Sequence, residues 1–176
     1  FLPTYNDFQM KYKWRINPHH EITVIGIGAI DNMHLNRGLE QTGTEAQKYI
    51  LGYLPEYSQW NYTFGLAYKH YGKHSIDSWI LSRNMLRNAG VKYKDNDKSA
   101  SKISDYQSDE AEIKLRYERN YTTLPIKLNL GAGIKYSNYA NDVYRLQFAS
   151  GNVVPFQYHS SIDLLSYQAF VQASDQ

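Results

Sequence analysis

The sequence predicts an all-β fold: an antiparallel meander of about seven long strands that forms part of a larger transmembrane β-barrel. Three observations lead to this fold class. Apolar and polar residues alternate over stretches of about ten residues, and the connections between the stretches alternate between short and long. The 176-residue chain also contains 17 Tyr, 6 Phe and 3 Trp, residues that favour strands, and Tyr and Trp in particular collect where an apolar surface meets water.

The clearest unit is a hairpin formed by Asp109–Glu118 and Ile126–Tyr136. In the first stretch, charged residues such as Lys114 and Arg116 alternate with apolar residues such as Leu115, which is the two-residue period of a strand with one wet face. Strands of 9 to 11 residues are long enough to cross a bilayer when they are tilted. The hairpin therefore has the length and the pattern of two membrane-spanning strands.

The same alternation predicts five further strands, at Tyr5–Ile16, Glu21–Ile30, Gln59–Lys69, Ser75–Asn84 and Ile162–Ala173. The strand Glu21–Ile30 is apolar on both faces, so its pattern does not fix which face it turns inward. Seven strands is an odd number, whereas single-chain bacterial barrels have even numbers. We therefore expect residues 1–176 to be one segment of a barrel domain, without a plug domain.

Three long polar connections are predicted, at Asp31–Tyr57, Met85–Ser108 and Ser137–Ser161, with a helical turn at Thr44–Tyr49 in the first. In an antiparallel meander every second connection lies at the same end of the sheet, so these three share one end and the short turns share the other. Outer-membrane barrels have short turns on the periplasmic side and long loops outside. We therefore predict that the long connections recognise a substrate.

The alternation also predicts which side chains face the lumen and which face lipid. The predicted lumen-facing residues are Lys11, Lys13, Arg15, Glu112, Lys114, Arg116, Lys127 and Asn129. The predicted lipid-facing residues are Tyr12, Trp14, Trp60, Tyr62, Phe64, Leu115, Tyr117, Leu128 and Leu130.

Two other interpretations fit the same alternation. A soluble β-sandwich or β-barrel that binds a ligand would turn its aromatic residues inward as a core and its charges outward. A small outer-membrane barrel with a structural or adhesive role would need an eighth strand, which the sequence does not show. The placement of the three tryptophans distinguishes a lipid-facing surface from a core.

Composition and motifs exclude several kinds of chemistry. The chain has no cysteine, so it has no disulfide or thiolate site, and its net charge of +2 does not favour a nucleic-acid partner. No window is apolar enough for a helical membrane span. The pairs His19–His20 and His70–His74 lie in turns without a third ligand, and Glu110 and Glu112 share a strand face with cations. We expect no catalytic residues, no metal, no cofactor and no enzyme activity.

Several strings of the sequence resemble the barrel of TonB-dependent outer-membrane receptors of the Bacteroidetes type, over most of Leu2–Tyr136. These strings are Asp7–Lys13 (DFQMKYK), Gly26–Asn32 (GIGAIDN), Tyr49–Pro55 (YILGYLP), Gln59–Tyr62 (QWNY) and Leu81–Met85 (LSRNM).

This resemblance implies a location in the bacterial outer membrane and a function in nutrient uptake. Receptors of this family have a 22-stranded barrel with a plugged lumen. The implied partners are the lipid bilayer, the remainder of the barrel with its plug domain, and the TonB complex, with a surface lipoprotein as a further candidate. The sequence leaves the substrate open between a small molecule, a glycan and a peptide.

Overall fold

The computed structural model describes residues 1–175, which form one antiparallel sheet of seven strands in chain order, each hydrogen-bonded to the next. The meander predicted from the sequence is confirmed. The described residues form no second sheet, so the fold is not a sandwich. The strands are β1 Leu2–Asn17, β2 His20–His34, β3 Glu56–Tyr71, β4 Ser75–Tyr93, β5 Lys102–Tyr121, β6 Lys127–Ala149 and β7 Asn152–Ser174.

The sheet has no hydrophobic core of its own. Among residues 1–175, the only buried apolar side chains are Leu35 and Leu51, and both lie in the connection between β2 and β3. On the sheet itself, large side chains such as Phe64 and Trp79 remain 44% and 47% exposed. A sheet of this kind leaves its apolar face uncovered within the described residues.

The short turns lie at one end of the sheet, as predicted. They comprise residues 18–19, 72–74 and 122–126. Backbone hydrogen bonds join neighbouring turns: the Tyr71 N–H donates to the His19 carbonyl (2.8 Å) and the Thr122 N–H donates to the His74 carbonyl (3.0 Å). The turns therefore form a continuous rim.

The connection between β2 and β3, residues 35–55, is the longest and contains two helices, α1 Leu39–Thr42 and α2 Glu45–Tyr53. Helix α2 begins with a capping box, in which the Thr44 hydroxyl accepts from the Gln47 N–H and the Gln47 side chain accepts from the Thr44 N–H. The predicted helical turn is confirmed and extends to Tyr53. No helix among residues 1–175 is both long and apolar enough to span a membrane.

The two other predicted long connections, Met85–Ser108 and Ser137–Ser161, were wrong, because most of each is strand. Strand β4 continues to Tyr93 and β5 begins at Lys102, which leaves only residues 94–101 as a connection. Strands β6 and β7 are joined by the two residues Ser150 and Gly151, whose φ angles of 52° and 81° are those of a tight hairpin turn. Backbone pairing extends these strands through polar sequence that shows no alternation.

Candidate functional site

The register of the sheet assigns every strand residue to one of two faces, because paired residues on neighbouring strands point to the same side. One face, the apolar face, contains a row of seven paired residues that crosses the whole sheet: Tyr12, Val24, Leu66, Leu81, Leu115, Ile134 and Tyr167. The opposite side, the charged face, contains the adjacent row: Lys11, Ile25, Gly65, Ser82, Lys114, Lys135 and Ser166.

The two predicted sets of residues lie on opposite faces of the sheet. All of the residues predicted to face lipid lie on the apolar face, including Leu128 and Leu130 near the short turns. All of the residues predicted to face the lumen lie on the charged face, including Lys127 and Asn129. The register also settles the orientation of β2, whose Ile22 and Val24 lie on the apolar face. That the apolar face contacts lipid and the charged face lines a lumen stays a prediction.

Aromatic residues mark both limits of a band on the apolar face. Towards the short turns, Trp79 and Tyr117 pack with ring centroids 4.4 Å apart, in the same row as Trp14. The other end of the sheet holds residues 35–55, 94–101 and the β6–β7 turn, and we continue to call it the side of the long connections. Towards that side, Trp60 and Tyr62 stack at 6.2 Å. All three tryptophans therefore lie on this face, at the two edges of the band, as the aromatic girdles of membrane barrels do.

Between β3 and β7, the limit of the band towards the long connections runs obliquely to the hydrogen-bonded rows, whereas from β1 to β5 its limit towards the short turns follows one row. On β3 the band covers Trp60–Tyr68, and on β7 it covers Leu165–Ala173, although the residue of β7 in the row of Trp60 is Ser161. The limit towards the long connections therefore shifts by four residues (165 − 161) across four strand spacings. With a rise of ~3.3 Å per residue and a spacing of ~4.8 Å, the slant of this limit between β3 and β7 is about 35°, which is within the range of strand tilts in membrane barrels.

Ion pairs cover much of the charged face. Glu112 contacts both Lys114 and Lys135 at 3.2 Å, and Arg116 pairs with Glu118 at 3.1 Å. Lys13 pairs with Glu21 at 3.0 Å. A shallow depression of about 640 Å³ lies on this face, with polar lining residues that include Gln59, Asn61, Thr63, Asn84, Glu110 and Ser137. Charges of both signs on paired strands can therefore satisfy one another beside water.

Paired charges also limit the band on the apolar face. Near the short turns, the Asp77 carboxylate accepts hydrogen bonds from Tyr117 and from Arg119 Nε (2.7 Å). Towards the long connections, Arg87 donates two hydrogen bonds to Asp109, at 2.5 and 2.9 Å, and its guanidinium lies 5.5 Å from the centre of the Trp60 ring. Such paired and hydrogen-bonded charges lower the desolvation free energy of placing a charge at the edge of an apolar surface.

The histidines near the short turns contact one another and neighbouring polar side chains. His20 stacks on His70 with ring centroids 5.0 Å apart and shares a hydrogen bond of 2.7 Å with Tyr68. His70 Nδ1 lies 3.8 Å from Asp77. In the part of the chain that the structure describes, no three His, Cys, Asp or Glu side chains come together to hold a metal ion.

The connection 35–55 is anchored to the end of β4 and to the connection 94–101, and we call these two connections the loop unit. The ammonium of Lys92, which is 6% exposed, donates to the Leu51 carbonyl (3.3 Å) and to the Asn96 side chain. Arg37 donates to the Asn96 carbonyl, and the Asn96 amide donates to Glu40 (3.3 Å). Sequence reasoning missed these contacts, since Lys92 and Asn96 lie in a polar stretch without periodicity.

A local turn completes the loop unit. The Asp97 carboxylate accepts hydrogen bonds from the Ser99 N–H (2.9 Å) and the Ser99 hydroxyl (2.8 Å). These two bonds stabilise the ionised form and hold the pKa of Asp97 below its usual range. Lys98 on the same connection pairs with Glu56 at the start of β3 (2.9 Å).

The sequence matches no family model and no curated protein. The fold resembles several solved structures: the ferric citrate transporter FecA (TM-score 0.54, 12% identity), BauA, the ferric preacinetobactin receptor from Acinetobacter baumannii (0.57, 10%), and the RagAB peptide transporter (0.51, 10%). The similarity covers 98–99% of this chain. It covers 27%, 31% and 26% of those chains respectively.

These structures define the class of the fold. FecA, BauA and RagAB belong to the TonB-dependent outer-membrane receptors. The seven-stranded meander has the fold of a segment of their β-barrels, and the sheet is not closed. The chain spans less than a third of the length of each of these relatives.

Proposed function

We propose that this chain is a segment of the β-barrel of a TonB-dependent outer-membrane receptor that imports a nutrient. One observation carries the proposal: a single sheet with an uncovered apolar face, edged by aromatic residues, and an ion-paired face behind it. A soluble protein would cover such an apolar surface with a second layer. In a membrane barrel, hydrocarbon would cover the apolar face and the water of the lumen would solvate the charged face.

The two edges of the sheet support the proposal that further strands complete the barrel. Within the described residues, β1 pairs only with β2 and β7 pairs only with β6. The outer edges of β1 and β7 therefore present backbone groups without a partner, and such groups are unfavourable in lipid. Pairing of these edges with other strands of the same barrel satisfies them, and the chain is then one part of that domain.

The proposed partners follow from the two faces and the two ends. The charged face, with Lys114 and Glu112 among its paired charges, is suited to line the channel and to contact a plug domain. We place the loop unit and the β6–β7 hairpin outside the cell, where they contribute to substrate recognition. We also propose that the TonB complex supplies the energy and that a surface lipoprotein delivers the substrate. An internal barrel segment of a Bacteroidetes-type receptor would account for the family-like sequence strings such as Asp7–Lys13.

The proposed activity is transport and not catalysis. Ferric citrate and peptides are the cargoes named for two of the structural relatives, so the barrel fold accepts chemically different substrates. Within the described residues, several charged side chains of the charged face form ion pairs, across strands for Lys13–Glu21 and Lys135–Glu112 and along one strand for Lys114–Glu112, which suits a channel wall. We propose uptake of a small molecule, a glycan or a peptide.

The test uses the full-length protein that contains this chain, reconstituted in vesicles with brominated lipids. We expect the bromine atoms to quench the fluorescence of Trp14, Trp60 and Trp79, and we expect Trp→Phe substitution at each position to remove a quenched component. A tryptophan introduced by Ile25→Trp, on the charged face, is the matched control and should not be quenched. A protein that is monodisperse in plain buffer, or a reversed quenching pattern, would contradict the proposal.

A further inference from the structure

Arg83 is an exposed cation in the middle of the apolar face. Its paired residues on the neighbouring strands are Phe64 and Ile113. The six other nearest positions on this face, along its own strand and diagonally across, are also apolar or aromatic: Leu81, Met85, Tyr62, Leu66, Ala111 and Leu115. The guanidinium therefore stands alone in the surface that we propose to face lipid.

Arg83 is the one arginine that forms no ion pair, no side-chain hydrogen bond and no cation–π contact among the residues that the structure describes. The other arginines pair with Asp109, Glu118, Asp77 or the Asn96 carbonyl, or lie over the rings of Tyr71 and Phe156. The nearest acid of the adjacent strand on this face, Asp109, is four residues beyond Ile113 and already accepts two hydrogen bonds from Arg87. An unpaired guanidinium in hydrocarbon is unfavourable, so its presence indicates a partner from outside the chain.

The position of Arg83 in the band indicates which partner can reach it. Tyr136 lies in the same row, and Tyr62 is paired with Met85, two residues closer to the long connections. Two residues correspond to ~7 Å along a strand, a distance that an arginine side chain can cover by extending towards the interface. The guanidinium can therefore reach the aromatic edge of the band, where lipid headgroups begin.

We propose that Arg83 binds the phosphate group of a lipid headgroup in the leaflet on the side of the long connections. The planar guanidinium donates two parallel hydrogen bonds to phosphate, which is the strongest of its common pairings. The positions around Arg83 on this face are apolar or aromatic and offer no second charge to orient a protein partner, whereas lipid phosphates are present all around a barrel. The proposal rests on the assignment of the apolar face to lipid.

The experiment measures lipid binding to the full-length protein in dodecyl maltoside, a detergent without phosphate, by native mass spectrometry. The probes are phosphatidylglycerol, a phosphorylated glucosamine-based lipid, and a monogalactosyl lipid without phosphate. We expect both phosphate lipids to bind the wild-type protein more tightly than the galactolipid. Arg83→Leu should weaken the tightest phosphate-lipid site by about tenfold or more, and Arg83→Lys should weaken it less. The lipid that loses more affinity identifies the source of the phosphate.

The control is Arg145→Leu, which removes a cation from the charged face and should leave the lipid affinities unchanged. Equal phosphate-lipid affinities for the wild type and Arg83→Leu would overturn the inference, as would equal dependence of galactolipid binding on Arg83. The same preparations show whether the protein needs detergent to stay monodisperse. If the protein needs detergent but Arg83→Leu does not change the phosphate-lipid affinity, only this inference fails. A protein that stays monodisperse without detergent would refute the proposed function itself.

Discussion

The sheet divides at the Arg87–Asp109 pair into two halves with different surfaces. In the spanning half, between this pair and the short turns, one face is apolar and the other is charged. In the upper half, between this pair and the end of the sheet that holds residues 35–55, 94–101 and the β6–β7 turn, the row that continues the apolar face is mostly polar: Thr4, Asn32, Ser58, Ala89, Gln107, Asp142 and His159. The backbone ladder is the same in both halves. We attribute the difference to the solvent proposed for one face: contact with lipid requires an alternating sequence, whereas water on both sides does not.

The largest effect is expected from a charge placed on the apolar face of the spanning half. Val24→Arg should lower the free energy of unfolding by ~2–4 kcal/mol, because the guanidinium would face the middle of the band. Ile27→Arg on the charged face, and Ser161→Arg on the same side as Val24 but in the row of the Arg87–Asp109 pair where the two halves meet, should change it by no more than ~1 kcal/mol. Urea unfolding of the full-length protein in lipid vesicles measures all three. Equal losses at the three sites would remove the distinction between the halves.

The next effect concerns the acid that ends the spanning half near the short turns. Asp77→Asn should lower the free energy of unfolding by ~1–3 kcal/mol, because Arg119 and Tyr117 would then donate to a neutral amide oxygen and no longer to a carboxylate. In the upper half, Asp142 is exposed and pairs only with the exposed His159 (2.6 Å). Asp142→Asn should therefore have no measurable effect in the same unfolding assay. A larger loss at Asp142 than at Asp77 would contradict this ranking.

A third prediction concerns the loop unit at the top of the upper half. Lys92→Met should release residues 35–55, because the ammonium ties α2 to β4 and to Asn96. Limited proteolysis within residues 35–55 should then be about tenfold faster, since cleavage follows local opening. Lys48→Met is the matched control, because Lys48 pairs only with Glu45 on the same exposed helix. If both variants are cut at the wild-type rate, the loop unit does not depend on Lys92.

The smallest effect is a pH dependence of the turn at Asp97. The pKa of this carboxylate is lower in the folded turn than in the unfolded chain, so its contribution is fully present above about pH 4 and is lost as the pH falls through the folded pKa. Amide exchange at Ser99, corrected for the intrinsic pH dependence of exchange, should show less protection below that range. Asp97→Asn should remove the pH dependence. Protection that stays constant down to pH 2 would contradict the assignment.

The sequence allowed the spanning half to be predicted, whereas in the upper half it predicted loops at Met85–Ser108 and Ser137–Ser161 where the strands β4 to β7 continue. The predicted strand limits at Asn84, Asp109, Tyr136 and Ile162 all lie within a few residues of the level of Arg87 and Asp109. Above that level the residues of β4 to β7 carry no two-residue period, which we attribute to water on both faces of the proposed barrel, and their polar sequence predicted loops. The strands pair there through backbone hydrogen bonds, which residues of almost any type can form, so the side-chain pattern does not indicate them.

Within the candidate site, the two-residue period predicted which residues share a face, since that depends on a single strand. The partners of each charge could not be predicted, because they depend on register: Glu112 meets Lys135 only through the alignment of β5 with β6. The anchoring of residues 35–55 by Lys92 depends on contacts 41 residues apart in the chain, and no local pattern encodes them. The apolar surroundings of Arg83 likewise depend on register, because its neighbours Phe64 and Ile113 belong to other strands.

The edges of β1 and β7 have a consequence for anyone who produces residues 1–176 alone. Each edge is a long template of free N–H and C=O groups, and β1 is exposed along its whole length. In water, such edges recruit the complementary edge of another molecule. We expect the isolated polypeptide to grow into open-ended ladders of stacked copies, which light scattering would detect as concentration-dependent growth and which proline substitutions along β1 would interrupt.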